Sequence, residues 1–348
     1  MNMRAPSGAV RAPLPGSRWH FQHGPIDLVL QAWGDAEECA RAYQQAWLRF
    51  ATVLPELVSE LPTLRKPVVP AQAGTAATQE RCLPPNRAKR DLAQSSALAE
   101  RLGPRLRGDD NEILLVEDLT CPLSGTVARR MWRACAPLAD VFITPMAAVA
   151  GAVADEVLEA MLARRDLAKA YVNNGGDIAI HLAPGERFET GIVGNISKPK
   201  ITATASIGAE DDVRGIATSG WRGRSFSLGI ADSVTVLARD GAAADAAATL
   251  VANAVNVDHP AVERRRARDL DPDSDLREHP VTVAVGTLDF EALAEALARG
   301  RREARRLIEA GLIAAAYIEL QGRRIAVGAE TLPHAVRREE RMAWSLHA

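Results

Sequence analysis

The sequence predicts an α+β fold in which mixed or antiparallel sheets pack against helices. Strand-like runs come in pairs joined by glycine turns, as at Gly24-Pro25 and around Gly322. Helical patterns follow strand pairs instead of alternating with single strands, which disfavours a parallel βαβ sheet. The third observation is residues 242–256, a helical stretch with one charged residue, Asp245, in a chain that is 25% charged. We therefore expect that helix to be buried.

The composition is that of an ordinary globular protein, with 348 residues, 47% hydrophobic residues and a net charge of -2. This length is sufficient for about two average domains or for one large α+β domain. The near-neutral net charge does not indicate binding to nucleic acid or to an anionic membrane. Nucleic-acid binding is therefore not expected.

Targeting and redox features point to the cytoplasm. The N-terminal residues lack the apolar run of a signal peptide. The longest apolar stretch, residues 146–154, is shorter than the roughly 18 residues that span a bilayer. The cysteines form no C-x-x-C pair, so we expect reduced thiols; they are Cys39, Cys82, Cys121 and Cys135. We expect a cytoplasmic protein without a membrane segment.

The N-terminal third contains a scaffold and an insertion. Residues 17–33 predict two strands, and Asp35 caps a helix predicted to end near residue 59. Residues 66–112 are interrupted by prolines and locally basic, and their runs PAQAGTAATQ and GPRLRGDD resemble translated palindromic repeats. We interpret them as an inserted, exposed, largely disordered loop. A basic nucleic-acid arm is the alternative, but no aromatic residues are interleaved with its charges.

These features divide the chain into an N-terminal part (1–65), the insertion (66–112), the core (113–330) and a polar tail (331–348). Within the core, a short helix is predicted over residues 124–136 and a second helix over residues 146–165. We expect strands at residues 167–172, 178–182, 190–196, 201–207, 213–217, 231–238, 281–285, 313–320 and 325–327, a last helix over 290–310, and a charged, exposed loop at 258–280.

Two loops carry groups that suit a phosphate. The turn at 173–177 contains Gly175 and Gly176, whose backbone freedom alone explains a tight turn. In the loop 220–232, Arg222 and Arg224 lie beside glycines, so guanidinium groups and exposed amides could receive a phosphate. The alternative for this second loop is a solvated surface segment.

The alanine-rich helix carries oxygen ligands on one stripe. Asp245, Thr249 and Asn253 are spaced at four-residue intervals and are flanked by alanines. A carboxylate and a hydroxyl in that arrangement suit a hard cation such as Mg²⁺. The alternative is a structural role in which Asp245 caps Gly241 or a neighbouring loop.

Three motifs in order resemble the ApbE-like FAD:protein FMN transferase superfamily. The run 244–249 is similar to the A-D-A-x-A-T signature, 218–220 to a T/S-S-G turn, and 172–177 to V-N-x-G-G-D. The resemblance is to the cytoplasmic, uncharacterised branch and covers roughly residues 120–330. It implies FAD or FMN as ligand, Mg²⁺ at Asp245 and Thr249, and a flavin-acceptor protein as partner; oligomerisation stays open. The implied flavin-binding residues are Asn173, Gly175, Gly176, Asp177, Thr218, Ser219, Gly220, Arg222 and Arg224.

Two departures from the family pattern bear on activity. Ala150 occupies the position of the lysine in the A-K-G-x-x-x-D run, whereas Gly151 and Asp155 agree with it. Residues 227–232 lack the histidine of the family's H-I-[IV]-D-P-like run, which leaves Asp232 or a metal-bound hydroxide as the candidate base. We therefore favour flavin or related nucleotide binding with altered chemistry. The alternative is an Mg²⁺-dependent FAD:protein FMN transferase or an FAD pyrophosphatase.

Dinucleotide-binding, P-loop, α/β-hydrolase and zincin functions are unsupported. The chain contains no G-x-G-x-x-G, G-x-x-x-x-G-K-[ST], G-x-S-x-G or H-E-x-x-H motif.

Overall fold

The computed structural model describes residues 3–4, 8–69, 121–193, 201–328 and 337–338. The strands are β1 (Met3–Arg4), β2 (Val10–Leu14), β3 (Arg18–His23), β4 (Ile26–Gly34), β5 (Leu167–Asn174), β6 (Asp177–Leu182), β7 (Arg187–Val193), β8 (Ile201–Gly208), β9 (Gly215–Ser219), β10 (Ser233–Ala238), β11 (Val262–Arg266), β12 (Pro280–Val285), β13 (Ala315–Leu320), β14 (Arg323–Val327) and β15 (Arg337–Arg338). The α-helices are α1 (Ala36–Leu64), α2 (Thr126–Cys135), α3 (Val149–Leu162), α4 (Gly241–Ala254), α5 (Ala267–Leu270) and α6 (Phe290–Glu309). The predicted α+β class is confirmed.

A ten-stranded sheet forms the frame, in the order β1-β2-β3-β4-β5-β6-β9-β10-β13-β14. All its neighbouring pairs are antiparallel. A three-stranded sheet, β15-β8-β7, and a β11-β12 pair complete the described strands. Because β6 pairs with β9 at Ile178 and Ile216, the hairpin β5-β6 and the strand before the 220–232 loop lie side by side. This pairing brings two of the predicted motifs together.

The large sheet is covered on both faces. Along β6, Ala179 belongs to the core under the helices, whereas Ile178 and Ile180 pack in a second core with residues of β7 and β8. This alternation follows from the two-residue period of a strand. Helices α3 and α4 lie over the first core and contact each other. The buried alanines of α4 agree with the predicted buried helix.

Helix α1 continues to Leu64, past its predicted end near residue 59. Asp35 accepts hydrogen bonds from the amides of Glu37 and Glu38, as the predicted cap requires. Pro55 and Pro62 lie inside the helix. Leu64 is fully buried, so packing of the apolar face outweighs the local cost of the prolines.

The predicted loop at 258–280 is wrong in part, because it contains β11 and the short α5. Strand β11 pairs with β12 while the side chains of Glu263, Arg265 and Arg266 stay exposed. Backbone pairing at a sheet edge tolerates such charges, and an exposed charged strand gives no apolar alternation to detect.

The predicted domain bounds stay a prediction. Residues 70–120 and most of the tail lie outside the described residues, so the bulk of the predicted insertion does too. Val68 is buried and its amide donates to the carbonyl of Ile143, so the folded part extends at least to Val68. Cys39 and Cys135 are free thiols, and Cys82 lies outside the described residues. Of the helices in the described part, none is both long and apolar enough to cross a bilayer.

Candidate functional site

Helices α3 and α4 meet at two glycines and cap each other. A Cβ at Gly151 would overlap the carbonyl of Gly241, so only glycine permits this approach. Asp155 of α3 accepts from the amides of Gly241 and Ala242, both at 2.8 Å. Asp245 of α4 accepts from the amide of Gly151 at 3.0 Å. Each helix therefore supplies a carboxylate to the positive N-terminal end of the other.

Asp245 lies deep in the protein yet keeps part of its surface open to solvent. Burial raises its pKa well above the usual value, and the neighbouring charge of Asp177 raises it further. Hydrogen bonds from the amides of Gly151 and Ala150 oppose this effect. A buried carboxylate beside a second carboxylate is stabilised by a cation. We use the word cleft for the group formed by Asp177, Arg224 and Asp245 with the residues that contact them. Thr249, partly exposed, follows it one turn later on α4.

The turn between β5 and β6 brings Asp177 to this cleft. Gly175 and Gly176 have φ values of 69° and 117°, the left-handed region that glycine adopts most readily. The side chain of Asn173 accepts from the amide of Gly176 at 2.8 Å and so fixes the turn. The side chain of Asn174 donates to the carbonyl of Ala150 at 3.1 Å, which ties the turn to the start of α3.

Asp177 is the second carboxylate of the cleft. Burial raises its pKa to about 7, although a hydrogen bond from the Thr218 amide and the charge of Arg224 act in the opposite direction. The Thr218 amide lies 3.3 Å from its Oδ1. The hydroxyl of Thr218 forms a 2.9 Å hydrogen bond with that of Thr235. Thr218 thus contacts the cleft through its backbone.

The loop after β9 carries Arg224 over the turn. A Cβ at Gly175 would overlap the guanidinium of Arg224, so the two groups are in close contact. Asn253 holds this loop, because its Oδ1 accepts from the amide of Leu228 at 2.9 Å. Asn256 donates to the Leu228 carbonyl at 2.8 Å. Asn253 is thus a positioning residue at the end of the stripe that begins with Asp245.

Arg222 and Asp232 form a separate pair. Arg222 Nε lies 3.0 Å from Asp232 Oδ1, and the guanidinium stacks on Trp221. The other oxygen of Asp232 accepts from the amide of Gln321 at 2.6 Å. The Asp232 side chain is only 7% exposed. Both its oxygens therefore have protein partners, and its predicted role as a base stays a prediction.

Ser219 ends β9 and Gly220 follows it at the start of the loop. Ser219 pairs with Val234 of β10. A Cβ at Gly220 would lie 2.6 Å from the carbonyl of Asp232, so the loop closes tightly at this point. These two residues shape the entrance to the loop, whereas the predicted residues at 173, 175–177, 218, 224 and 245 converge on one cleft.

The role of Asp155 was not evident from sequence patterns. The signal was present, because GAVAD at 151–155 and GAAAD at 241–245 repeat the same glycine-to-aspartate spacing. Cys135, one of the predicted reduced thiols, is fully buried. Burial raises the pKa of its thiol well above the usual value, and the charges of Asp245 and Asp275 add to this effect.

The donor set in the cleft fits Mg²⁺ chemically. Within the described residues, no group of three or more His, Cys, Asp or Glu side chains is arranged to hold a metal ion. Asp177, Asp245 and Thr249 nevertheless provide hard oxygen donors, and Mg²⁺ completes its shell with water and phosphate oxygens. Burial raises the pKa of both carboxyls and so disfavours their charged forms, and a cation beside them would favour the charged forms again.

A family model described as AbpE bacteria matches residues 11–84 and 101–326. The match omits residues 85–100, which lie within the predicted insertion. It therefore covers most of the chain and includes every residue of the cleft.

The chain is also similar to curated proteins. It is 40% identical over 147 residues to a UPF0280 protein of Methanothrix thermoacetophila, a match that covers 42% of this chain and 59% of that protein. It is 35% identical over 161 residues to a UPF0280 protein of Methanopyrus kandleri, covering 45% and 61%. The matches thus span less than two thirds of these relatives. The predicted resemblance to an uncharacterised branch is confirmed.

A solved structure, the apo form of Pseudomonas stutzeri flavinyl transferase ApbE, matches 94% of both chains. Its sequence identity is 13% and its TM-score is 0.36. That likeness is too weak to bear on the chemistry of the cleft.

Proposed function

The chain belongs to the family described as AbpE bacteria, and we propose that it binds a flavin nucleotide, FAD or FMN, together with Mg²⁺. The supporting observation is the convergence of Asp177, Arg224 and Asp245 from three separate segments on one cleft. Carboxylates and a guanidinium in one cleft provide both the cation contacts and the phosphate contact that a nucleotide diphosphate requires.

In this proposal the carboxylates bind the Mg²⁺ ion that accompanies the flavin nucleotide. Asp245 and Asp177, with the hydroxyl of Thr249, would hold Mg²⁺, which would neutralise the pyrophosphate charge. Asp245 also keeps α3 in place through the Gly151 amide, so it is fixed before the ligand arrives. A prearranged acceptor reduces the ordering cost of binding.

Arg224 and the glycine turn provide the phosphate side. The turn lacks side chains at Gly175 and Gly176, so a phosphate could approach its backbone closely. Arg224 already contacts this turn and is exposed to solvent. Its guanidinium can therefore break the contact with the turn and bind a phosphate oxygen instead, because the side chain is not held in the core.

The proposal is tested by titrating the purified protein with FAD, in Mg²⁺ and again in EDTA, and following flavin fluorescence. We expect Mg²⁺-dependent binding that weakens by about tenfold or more in Asp245→Asn, because a charge-assisted contact is worth about 1.5–3 kcal/mol. Asparagine keeps an oxygen that can accept from Gly151 while losing the charge.

Asp212→Asn is the matched control, since Asp212 is an exposed aspartate in the turn before β9. It should bind FAD as the wild type does. Equal binding by Asp245→Asn and wild type, with both folded by circular dichroism, would contradict the metal assignment. Absence of FAD binding by the wild type would contradict the function itself.

A further inference from the structure

The crossing of α3 and α4 has two ends with different charged neighbours. At one end Asp245 caps α3 and faces Asp177 in the cleft. At the other end Asp155 caps α4 and lies near both the negative charge of Asp240 and the positive charge of Arg130. The repeated GAVAD and GAAAD segments make the two ends similar in backbone but not in surroundings.

A cavity of about 410 Å³ opens at the Asp155 end. Its lining includes four arginines, which are Arg129, Arg130 and Arg133 of α2 and Arg239 before α4. Ala242 and Ala243, in the first turn of α4, form another part of the wall. Side chains from two separate segments and the first turn of a helix therefore converge on one space.

Three carboxylates also line the cavity, and each has a partner in the protein. Asp240 accepts from the amide of Ala243 at 2.7 Å. Glu156 bonds to Arg49 and Thr126 at 2.8 and 2.7 Å, and Glu159 to Arg130 at 2.5 Å. The lining thus holds four arginines against three carboxylates, an excess of one positive charge among the side chains that line the cavity.

Arg130 and Arg239 differ in how they are held. The Nε–H of Arg130 is buried and makes no hydrogen bond within the described part of the chain. Arg239 is 63% exposed and lies 3.4 Å from Asp240, the distance of a loose surface pair. Arg239 can therefore turn towards a ligand at little cost.

We propose that this cavity is a second ligand site that binds a phosphate-bearing anion of about the size of pyrophosphate. Arginine forms two parallel hydrogen bonds to phosphate oxygens, and several guanidinium groups around one space match a multiply charged anion. The site is separate from the proposed flavin cleft, because its walls are α2, the start of α4 and the part of α3 that carries Glu156 and Glu159, and it includes neither Asp177 nor Asp245.

The test is calorimetric titration of the full chain with inorganic pyrophosphate in Mg²⁺-free buffer. The double variant Arg133→Gln/Arg239→Gln should bind at least about tenfold more weakly than wild type, since neutral glutamine cannot replace the charge-assisted hydrogen bonds of a guanidinium to phosphate. Arg301→Gln/Arg302→Gln on the exposed face of α6 removes the same charge and should bind within about twofold of wild type. Melting curves identify any variant that is not folded.

The Asp245→Asn variant separates this site from the flavin cleft. It should keep its pyrophosphate affinity even where it loses FAD. The proposal is overturned by an absence of pyrophosphate binding to wild type, by equal losses in both double variants, or by unchanged affinity in Arg133→Gln/Arg239→Gln. Loss of pyrophosphate binding in Asp245→Asn would move the anion to the flavin cleft and overturn it as well.

Discussion

Asp155 and Asp245 lie on adjacent helices, and each caps the helix that carries the other. The Asp155 carboxylate accepts hydrogen bonds from the amides of Gly241 and Ala242, and the Asp245 carboxylate accepts one from the amide of Gly151. Helix α3 has no cap from its own flanking side chain, because its N-cap residue is Ala148. Its first turn therefore depends on α4, and the two helices stabilise each other as a unit.

The first prediction concerns the glycine contact at this crossing. Gly151→Ala should lower the free energy of unfolding by about 1–3 kcal/mol or more, because the added methyl group meets the Gly241 backbone and cannot be relieved by a side-chain rotation. Urea unfolding followed by circular dichroism measures the change. Gly286→Ala is the control, since its nearest neighbour is the Ala261 methyl at 3.3 Å. Equal stabilities of the two variants would show that the crossing of α3 and α4 does not require glycine at position 151.

The second prediction concerns pH. Burial raises the pKa of Asp155 and of Asp177 to about 7, whereas an unfolded aspartate titrates near 3.9. Between about pH 4 and pH 7 the folded protein therefore holds more protons than the unfolded chain. Their contribution to stability is complete below about pH 4 and is lost as the pH rises through 7, at no more than about 1.4 kcal/mol per pH unit for each group.

Urea unfolding between pH 5 and pH 8 tests this dependence. Asp177→Asn should give a shallower decline than wild type, because asparagine does not titrate but still accepts from the Thr218 amide. Asp212→Asn should reproduce the wild-type slope, since Asp212 is exposed. An identical slope in Asp177→Asn would mean that this carboxyl titrates normally.

The sequence indicated several of the residues that lie together in the cleft but not what each of them contacts. Four-residue spacing placed Asp245 and Asn253 on one stripe, and glycine content identified the 173–177 turn. Yet Asp245 accepts a hydrogen bond from the amide of Gly151, which lies 94 residues earlier in the chain. Residue spacing within one helix cannot predict such a distant partner. Asp232 shows the same limit, because its contact with Gln321 joins segments 89 residues apart. Periodicity reports which face of an element is buried, and tertiary contacts decide the role of a polar group on it.

The third prediction separates two arginines that the sequence assigned alike. Arg224→Gln should weaken FAD binding by about tenfold, because Arg224 contacts the glycine turn and a charge-assisted phosphate bond is worth about 1.5–3 kcal/mol. Arg222→Gln should instead lower stability by about 1–3 kcal/mol, because it leaves the Asp232 carboxylate without its cation. FAD titration and urea unfolding of both variants measure the two effects. The reverse pattern would show that Arg222 is the phosphate ligand.

The last prediction concerns catalysis by the flavin cleft. Transfer of FMN to a protein hydroxyl requires a base within hydrogen-bond reach of the proton it removes. The candidate base Asp232 has one oxygen bonded to Arg222 and the other to the Gln321 amide. Incubation with FAD, Mg²⁺ and a flavin-acceptor protein should therefore yield no covalent FMN, and at most slow hydrolysis of FAD to FMN and AMP.

Flavin fluorescence in a denaturing gel detects covalent FMN, and chromatography of the supernatant detects hydrolysis. Asp232→Asn should lose stability but leave any slow hydrolysis unchanged, because both oxygens of the Asp232 carboxylate are bonded within the protein. Asp245→Asn should abolish hydrolysis by removing the metal contact. A covalently labelled acceptor that disappears in both variants would make this protein a transferase with Asp232 as its base.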